Sequence, residues 1–447
     1  MGKDFPENSA TKTTRFKSIY RSLQYKNFRL FFYGQSISLI GTWMQRIATP
    51  WLVYSLTDSV FLLGLVGFAG QIPTFLIAPF AGVLIDRWSR YTILVITQIL
   101  AMIQSLVLAF LFFDHSIQVW HIMLLSAFLG CINAFDMPAR QSFVVDMIEK
   151  REDLGNAIAL NSSMVNSARL IGPSIAGILI SMTGEGMCFL VNGLSYIFVI
   201  TFLLMMKIPH RKVVVQDTRV LQGLKEGFLY TFSSIPIRYI IVLLALVSLM
   251  GMPYTVLMPV FAKNIIHGGP HTFGFLMGAS GIGALTAAIY MASRKSVLGL
   301  VKLIPRFAAL FGIGLIAFSQ SDIFMLSLLL MFIIGAGMIM QMTSSNTILQ
   351  TIVDDDKRGR VMSFYTMAFM GTAPFGSLLA GYLASHIGAP NTLMIGGVSC
   401  ILGAILFSRK LPEIKRTIRP VYIRLGIISE VTKGVQTATE LTGLPKG

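Results

Sequence analysis

The chain has 447 residues, 54% hydrophobic and only 13% charged, with a formal net charge of +16. Soluble domains carry roughly 25% charged residues, so the composition argues against a soluble enzyme or soluble regulatory domain. A pI near 9.9 also suits a nucleic-acid binder, but the Lys and Arg residues lie in loops between apolar runs, where they face an anionic leaflet and set topology; no nucleic-acid partner is expected.

In chain order, residues 1–27 form an amphipathic segment. Phe16, Ile19, Tyr20 and Leu23 recur at helical spacing with Arg15, Lys17 and Arg21 between them, which predicts a helix lying on the inner membrane surface. No small-residue cleavage site follows a short apolar region, so no cleavable signal is expected. A crossing helix needs about 20 apolar residues, and twelve segments qualify: Leu30–Tyr54, Val60–Ile85, Ile93–Phe113, Ile117–Phe135, Ala157–Met182, Met187–Met206, Tyr239–Phe261, Phe273–Ala292, Leu303–Ser319, Ile323–Met342, Val361–Ile387 and Thr392–Ser408. Thirty-three of the 36 Lys and Arg residues then fall on one side, counting Arg306 at the cytoplasmic end of the ninth segment, with only Lys263 opposite and Arg46 and Arg169 well inside segments. Positive loops are cytoplasmic, so both termini are expected there. Cys131, Cys188 and Cys400 lie in apolar runs and read as small buried hydrophobes.

A shift of 204 residues places Gly155 on Gly359, Gly172 on Gly376, Ala176-Gly177 on Ala380-Gly381, Gly184 on Gly388 and Gly193 on Gly397. The fifth and sixth segments thus repeat as the eleventh and twelfth. The expected fold is all-α and polytopic, twelve transmembrane helices in two six-helix halves. Residues 28–207 form the first half, 208–238 a cytoplasmic linker, 239–409 the second half and 410–447 a basic cytoplasmic tail. Parallel halves of this kind are a transporter design, with the substrate site between them.

After the second segment, Gly82, Leu84, Asp86, Arg87 and Arg90 follow the spacing G-x-L-x-D-R-x-G-R, with Ser89 for the second glycine and Tyr91 for a common basic residue. In the fifth, Gly172, Pro173, Ala176 and Gly177 follow G-x-x-x-G-P-x-x-G-G, with Ala168 and Ala176 at two of the glycine positions. By these residues the chain resembles the major facilitator superfamily, whose members share the 6+6 fold. The second motif is similar to the antiporter motif of its exporters, and is also a small-residue packing face with a proline kink. Gly41 to Arg46, Trp51 to Thr57, Phe135 to Gln141 and Arg358 to Ser363 resemble one branch, the enterobactin-exporter and transmembrane-effector-like permeases, over residues 20–425. That branch includes macrolide and multidrug exporters and is similar to lysophospholipid transporters.

The resemblance implies a cytoplasmic gate in which the start of the eleventh segment, near Gly359 and Arg360, docks on Asp86, with Asp86, Arg90 and Asp136 forming the latch; Asp136 also stands four residues before Arg140, as a local helix pair does. Where the family often carries R-x-x-Q-G in its fourth span, linked to proton coupling, this chain has Ser126 and Leu129 before Gly130, so that route of coupling is not carried by these residues. Asp136 is the best-placed acid for another.

An arginine at the bilayer centre costs about 2.5–3.5 kcal/mol even on the lenient insertion scale and usually faces a cavity or a partner. Arg46 and Arg169 are therefore candidates to meet an anionic or carbonyl-rich substrate, or to be held by Gln45, Asn161, Asn166 or Gln71. Gln45, Gln71, Asn133, Asn166, Tyr254 and Gln341 interrupt apolar helices and are further candidates for the substrate path. Each alone is more often a contact between helices. No Walker motif, metal-spaced His/Cys set or nucleophile elbow occurs, so no enzyme, metal or cofactor is expected. The expectation is a monomeric inner-membrane exporter of an amphiphilic small molecule, with protons as coupling ion and membrane lipids around it. A lysophospholipid flippase, or a membrane receptor or secretion accessory that transports nothing, are the alternatives.

Overall fold

The computed structural model describes residues 20–85, 88–206, 220–294 and 296–428, without the side chains of 78, 79, 82–85, 151, 220–226, 355 and 356. Among the described residues there are helices and no strand. The first six long helices are α1 (Lys26–Thr57), α2 (Val60–Ile85), α3 (Arg90–Phe113), α4 (Val119–Asp146), α5 (Arg151–Thr183) and α6 (Glu185–Leu204). A linker helix (Val220–Ser233) precedes α7 (Ile235–Ile265), α8 (Pro270–Ser293), α9 (Leu300–Ser319) and α10 (Phe324–Ile352). Then come α11 (Asp355–Thr366 and Ala373–Ile387, joined through Met367–Gly371) and α12 (Ala389–Arg424).

Eleven of these, α2 to α12, are long and apolar enough to cross a membrane. The expected twelfth, α1, is a helix of 32 residues, about 48 Å at 1.5 Å per residue, diluted by Gln35, Ser36, Ser38, Thr42, Gln45 and Arg46. Several helices outrun their apolar segments. α4 continues to Asp146 and α10 to Ile352, and α12 passes the expected tail boundary at 409/410 and ends at Arg424. Hydropathy marks only the stretch that meets lipid, whereas helical hydrogen bonding continues into water. Residues 1–19, with Phe16 and Ile19, lie outside the described residues. The next stretch is a short 3-10 turn, Arg21–Gln24, tied to the first turn of α5. There Asp153 pairs with Arg21 and accepts from Tyr25 Oη at 2.7 Å.

The 204-residue repeat holds in the geometry. α5 starts at 151 and ends at 183, and α11 starts at 355 and ends at 387. Gly184 and Gly388, which turn each chain into the following helix, have φ of 81° and 84°, a region where L side chains are strained. Packing repeats as well. In the first half α1 lies on α5 and α6, α2 on α4, and α3 on α4 and α6; in the second, α8 lies on α10, and α9 on α10 and α12. The halves meet through two reciprocal crossings, α5 on α8 and α2 on α11.

Both crossings are built from small residues. A Cβ added at Gly177 would come within 2.8 Å of Pro270 O and 2.9 Å of His271 Cα, and one at Gly64 within 2.6 Å of Ser377 O and 2.7 Å of Gly381 Cα. At this sparsely charged end the halves are joined further. Lys263 Nζ meets Asp58 Oδ1 at 2.6 Å, Asn264 Nδ2 donates to Tyr54 Oη at 2.6 Å, and Trp51 stacks on Phe273 with centroids 6.1 Å apart. At the opposite, highly charged end the described ion pairs stay within one half: Arg21–Asp153, Arg90–Asp146 and Arg140–Asp136 in the first, Arg424–Asp354 and Lys410–Glu413 in the second.

Candidate functional site

Arg46 lies deep in α1, and Arg169 near the middle of α5. Their guanidinium carbons lie over the ring of one residue, Trp43, at 4.7 and 5.8 Å from its centroid. Neither has an ion pair or a hydrogen bond among the described residues. Arg46 keeps exposed surface in the middle of a long apolar helix. Arg169 sits where α5 crosses α8, since Gly281 lies against the backbone of Arg169 and Leu170. The two arginines and Trp43 thus form one wall that spans α1 and α5 and borders the other half.

Gly172 explains why Trp43 is held there. A Cβ at Gly172 would come within 2.5 Å of Trp43 Cβ and 3.1 Å of Ile40 O, so the glycine of the exporter-like motif is what lets α5 approach the tryptophan. In that motif Gly172, Pro173, Ala176 and Gly177 are all buried. Gly177 faces α8, so one short stretch serves both the cation cluster and the crossing of the halves.

Asp136 is buried and wholly engaged within the first half. Oδ1 accepts from Gln98 Nε2 at 2.7 Å and Thr97 Oγ1 at 3.1 Å, and Oδ2 pairs with Arg140. Because α4 runs on to Asp146, Asp136 stands ten residues inside its end, about 15 Å at the helical rise. The expected latch of Asp86, Arg90 and Asp136 includes a residue outside the described ones. Arg90 instead bonds Asp146 at 3.0 and 3.1 Å and reaches Ser142 O at 3.4 Å. Asp86 and Arg87 lie outside the described residues, as do the surroundings of Gly82. Arg360 is exposed and, with Gly359, begins α11, where its Cβ lies against Gly227 of the linker helix. Ser89, the departure from the motif, accepts from Thr92 N at 3.5 Å and caps α3, which a glycine cannot do with a side chain.

Other polar candidates separate by burial. Gln45 is buried in a network that sequence reading missed. Its Nε2 donates to Gln104 Oε1 at 3.0 Å, and its Oε1 accepts from Ser105 Oγ at 2.7 Å and Asn192 Nδ2 at 2.6 Å. The spacing of Gln104, Ser105 and Asn192 carries no local signal, because they come from α3 and α6 and meet only in three dimensions. Gln71 reaches across the halves to Ser377 Oγ at 3.3 Å. Asn166 bonds its own helix at Ser162 O, and Asn133 is half-buried. Tyr254 and Gln341, expected on the path, are 1% exposed. Tyr254 Oη is hydrogen-bonded to Ser280 Oγ at 3.1 Å and Gln341 donates to Ser345 Oγ at 3.4 Å, so both are helix-packing residues in this state. Ser126, at the family's arginine position, packs with Gly130 against Gly70 of α2. The space an arginine would take is filled by a close helix crossing.

Two repeated helical halves, joined at one end and carrying bare arginines where they adjoin, define an integral membrane transporter with the major facilitator fold. A family model for transmembrane secretion effectors matches residues 17–421; the chain belongs to this family of the major facilitator superfamily and is a transporter, not an enzyme. The staphyloferrin A transporter of Staphylococcus aureus is 26% identical over 380 residues, 85% of this chain and 95% of the relative. Macrolide efflux protein A of Streptococcus pyogenes is 23% identical over 398 residues, 86% of this chain and 96% of the relative. Among solved structures, a D-xylose-proton symporter superposes with a TM-score of 0.70 at 15% identity, over 88% of this chain and 99% of that one, a likeness of fold alone.

Proposed function

We propose that this protein exports an amphiphilic small molecule, carrying at least one negative charge, across the bacterial cytoplasmic membrane by alternating access. All twelve long helices cross, α1 included, and both termini are cytoplasmic, because the charged loops gather at one end. In the state described the sparsely charged end is closed and the charged end is the route of entry from the cytoplasm. The observation that carries this reading is the pair of mid-helix arginines, Arg46 and Arg169, with no acidic partner among the described residues. A cation is held inside a membrane protein where a partner, a cavity or a passing anion compensates it. Relatives named for staphyloferrin A transport and macrolide efflux support transport of small organic molecules.

Release requires the outer contacts, Lys263–Asp58, Asn264–Tyr54 and Trp51–Phe273, to part while the cytoplasmic ends close. The gate residues Asp86, Arg90, Gly359 and Arg360 act in that closure. Protons are the counter-flux, and Asp136, buried beside Arg140, is the acid best placed to carry them. The test uses inside-out vesicles and a panel of labelled anionic and neutral amphiphiles. Accumulation of an anionic member, reduced at least about tenfold in Arg46→Gln, a loss of about 1.4 kcal/mol, is the expected result. Accumulation that ignores Arg46→Gln for every anion removes the arginine from the path, and accumulation with no proton gradient and no pH change removes antiport.

A further inference from the structure

Trp43 presents an arrangement that the export reading does not require. Two guanidiniums of the same charge, from helices α1 and α5, converge on one indole, at 4.7 and 5.8 Å from its centroid. They therefore lie no further apart than the sum of those distances. Like charges so placed repel, and the ring quadrupole is a weak counter-charge compared with a carboxylate. Arg140 is matched by Asp136; Arg46 and Arg169 have no such match among the described residues. The Cβ of Trp43 packs on Gly172, which seats the residue between the two helices. What the site lacks is negative charge in two places, not one.

We infer that Trp43 is a placeholder: in the empty transporter its ring takes both guanidiniums, and a small molecule with two separated acid groups displaces it, one acid on Arg46 and the other on Arg169. The ligand class is a dianion whose acid groups are held apart by an apolar or aromatic spacer. Each guanidinium gives its acid group a bidentate, charge-assisted pair, and the spacer lies over the freed indole face. A monoanion satisfies one arginine and leaves the other on the ring, so the site discriminates by charge count. Trp43 is then a positioning residue that keeps the two arginines apart and outward until cargo arrives. This rests on the proposed function only in taking the wall as the cargo site.

The probe is isophthalate, a planar dianion, against benzoate with one carboxylate and isophthalamide with none. Full-length protein in nanodiscs carries Trp51→Phe, Trp88→Phe and Trp120→Phe, so that Trp43 alone emits. Isophthalate is expected to change that emission saturably and to bind at least about tenfold more tightly than either control. Arg46→Gln and Arg169→Gln should each reduce its affinity to that of benzoate, while Arg169→Lys keeps part of the preference and shows that the fold is intact. Equilibrium dialysis with labelled isophthalate should find Trp43→Phe binding it more tightly than the parent, because the competing ring is weaker; a purely structural tryptophan would weaken it. Equal affinity for isophthalate and benzoate, a preference that survives Arg169→Gln, weaker binding in Trp43→Phe, or no saturable change would each overturn the inference. Uptake into inside-out vesicles is scored separately. Binding with the expected preference but no uptake fails the export reading and leaves this one standing, and uptake of monoanions alone does the reverse.

Discussion

Gln45 and Arg46 are neighbours in sequence with opposite fates. Gln45 turns into a buried network with Gln104, Ser105 and Asn192, while Arg46 stays exposed. One helical step of 100° separates them, so whatever holds Gln45 also aims Arg46. Replacing Gln45 by Leu leaves Gln104 Oε1 without its donor, at about 1–3 kcal/mol, and throws Ser105 onto Phe189 O and Asn192 onto Ser105 Oγ as their remaining acceptors. The expected outcome is a melting temperature lowered by several degrees with weaker anion binding, read by thermal unfolding in detergent alongside a binding titration. An unchanged melt would mean that water fills the vacated site. The sequence showed a glutamine in an apolar helix and could not show which way it faced, because its three partners lie far off in the chain.

At the scale of elements, α7 and α11 depart from regular helix where prolines fall. Val247–Gly251 and Met367–Gly371 are π-helical turns, followed by Pro253 and Pro374. A proline has no N–H for the turn before it, and π turns collect where function or strain demands them. Here the two turns face each other. Ser248 Oγ donates to Phe369 O, and Thr372 Oγ1 to Ala245 O at 3.4 Å, so each helix supplies hydrogen bonds that the other's turn lacks. Replacing Ser248 by Ala should cost about 1–3 kcal/mol through the bare Phe369 carbonyl and speed amide exchange in residues 365–371. Exchange as slow as in the parent would show that the carbonyl finds another donor. The prolines were visible in sequence. That the two turns would pair was not, since it depends on α7 and α11 lying side by side.

For the whole molecule, closure at the sparsely charged end depends on backbones approaching at Gly177 and Gly64. A valine at Gly177 would set side-chain carbon against Pro270 O and His271 Cα, which are backbone and cannot turn aside. Gly177→Val should therefore hold the halves apart at that end and shift the population towards the outward-open state. Spin labels on the 57–60 and 265–270 turns should report a longer distance than in the parent, and an unchanged distance would sink the prediction. The other end has its own brace. The last three turns of α12 bury Ile414, Ile418 and Tyr422, and Arg424 Nη2 reaches Asp354 Oδ1 at 2.8 Å, just before α11. Truncation after Arg409 removes these contacts together. It is expected to lower the melting temperature by several degrees, more than Arg424→Gln alone, because an exposed ion pair contributes little while a buried apolar side chain contributes about 1.5–3 kcal/mol.

Long apolar runs, the one-sided distribution of Lys and Arg and the 204-residue repeat determined the class of this protein. Each is a property of composition or spacing along the chain, which the membrane reads without any tertiary contact. The two motifs determined the family for the same reason. Tertiary structure alone decided which polar residues are cargo candidates and which are packing. Arg46 and Arg169 are 123 residues apart in the sequence and become one feature only because Gly172 lets α5 close on Trp43. Tyr254 and Gln341 looked like cavity residues and are buried because their helices turn them inward. Arg90 takes Asp146 rather than Asp136 because α4 runs on as helix beyond its apolar stretch and brings the nearer carboxylate. Burial and facing are set by what packs on the opposite side of a helix, and in a membrane chain apolar residues occur on every side, so the sequence has no polar face from which to read it.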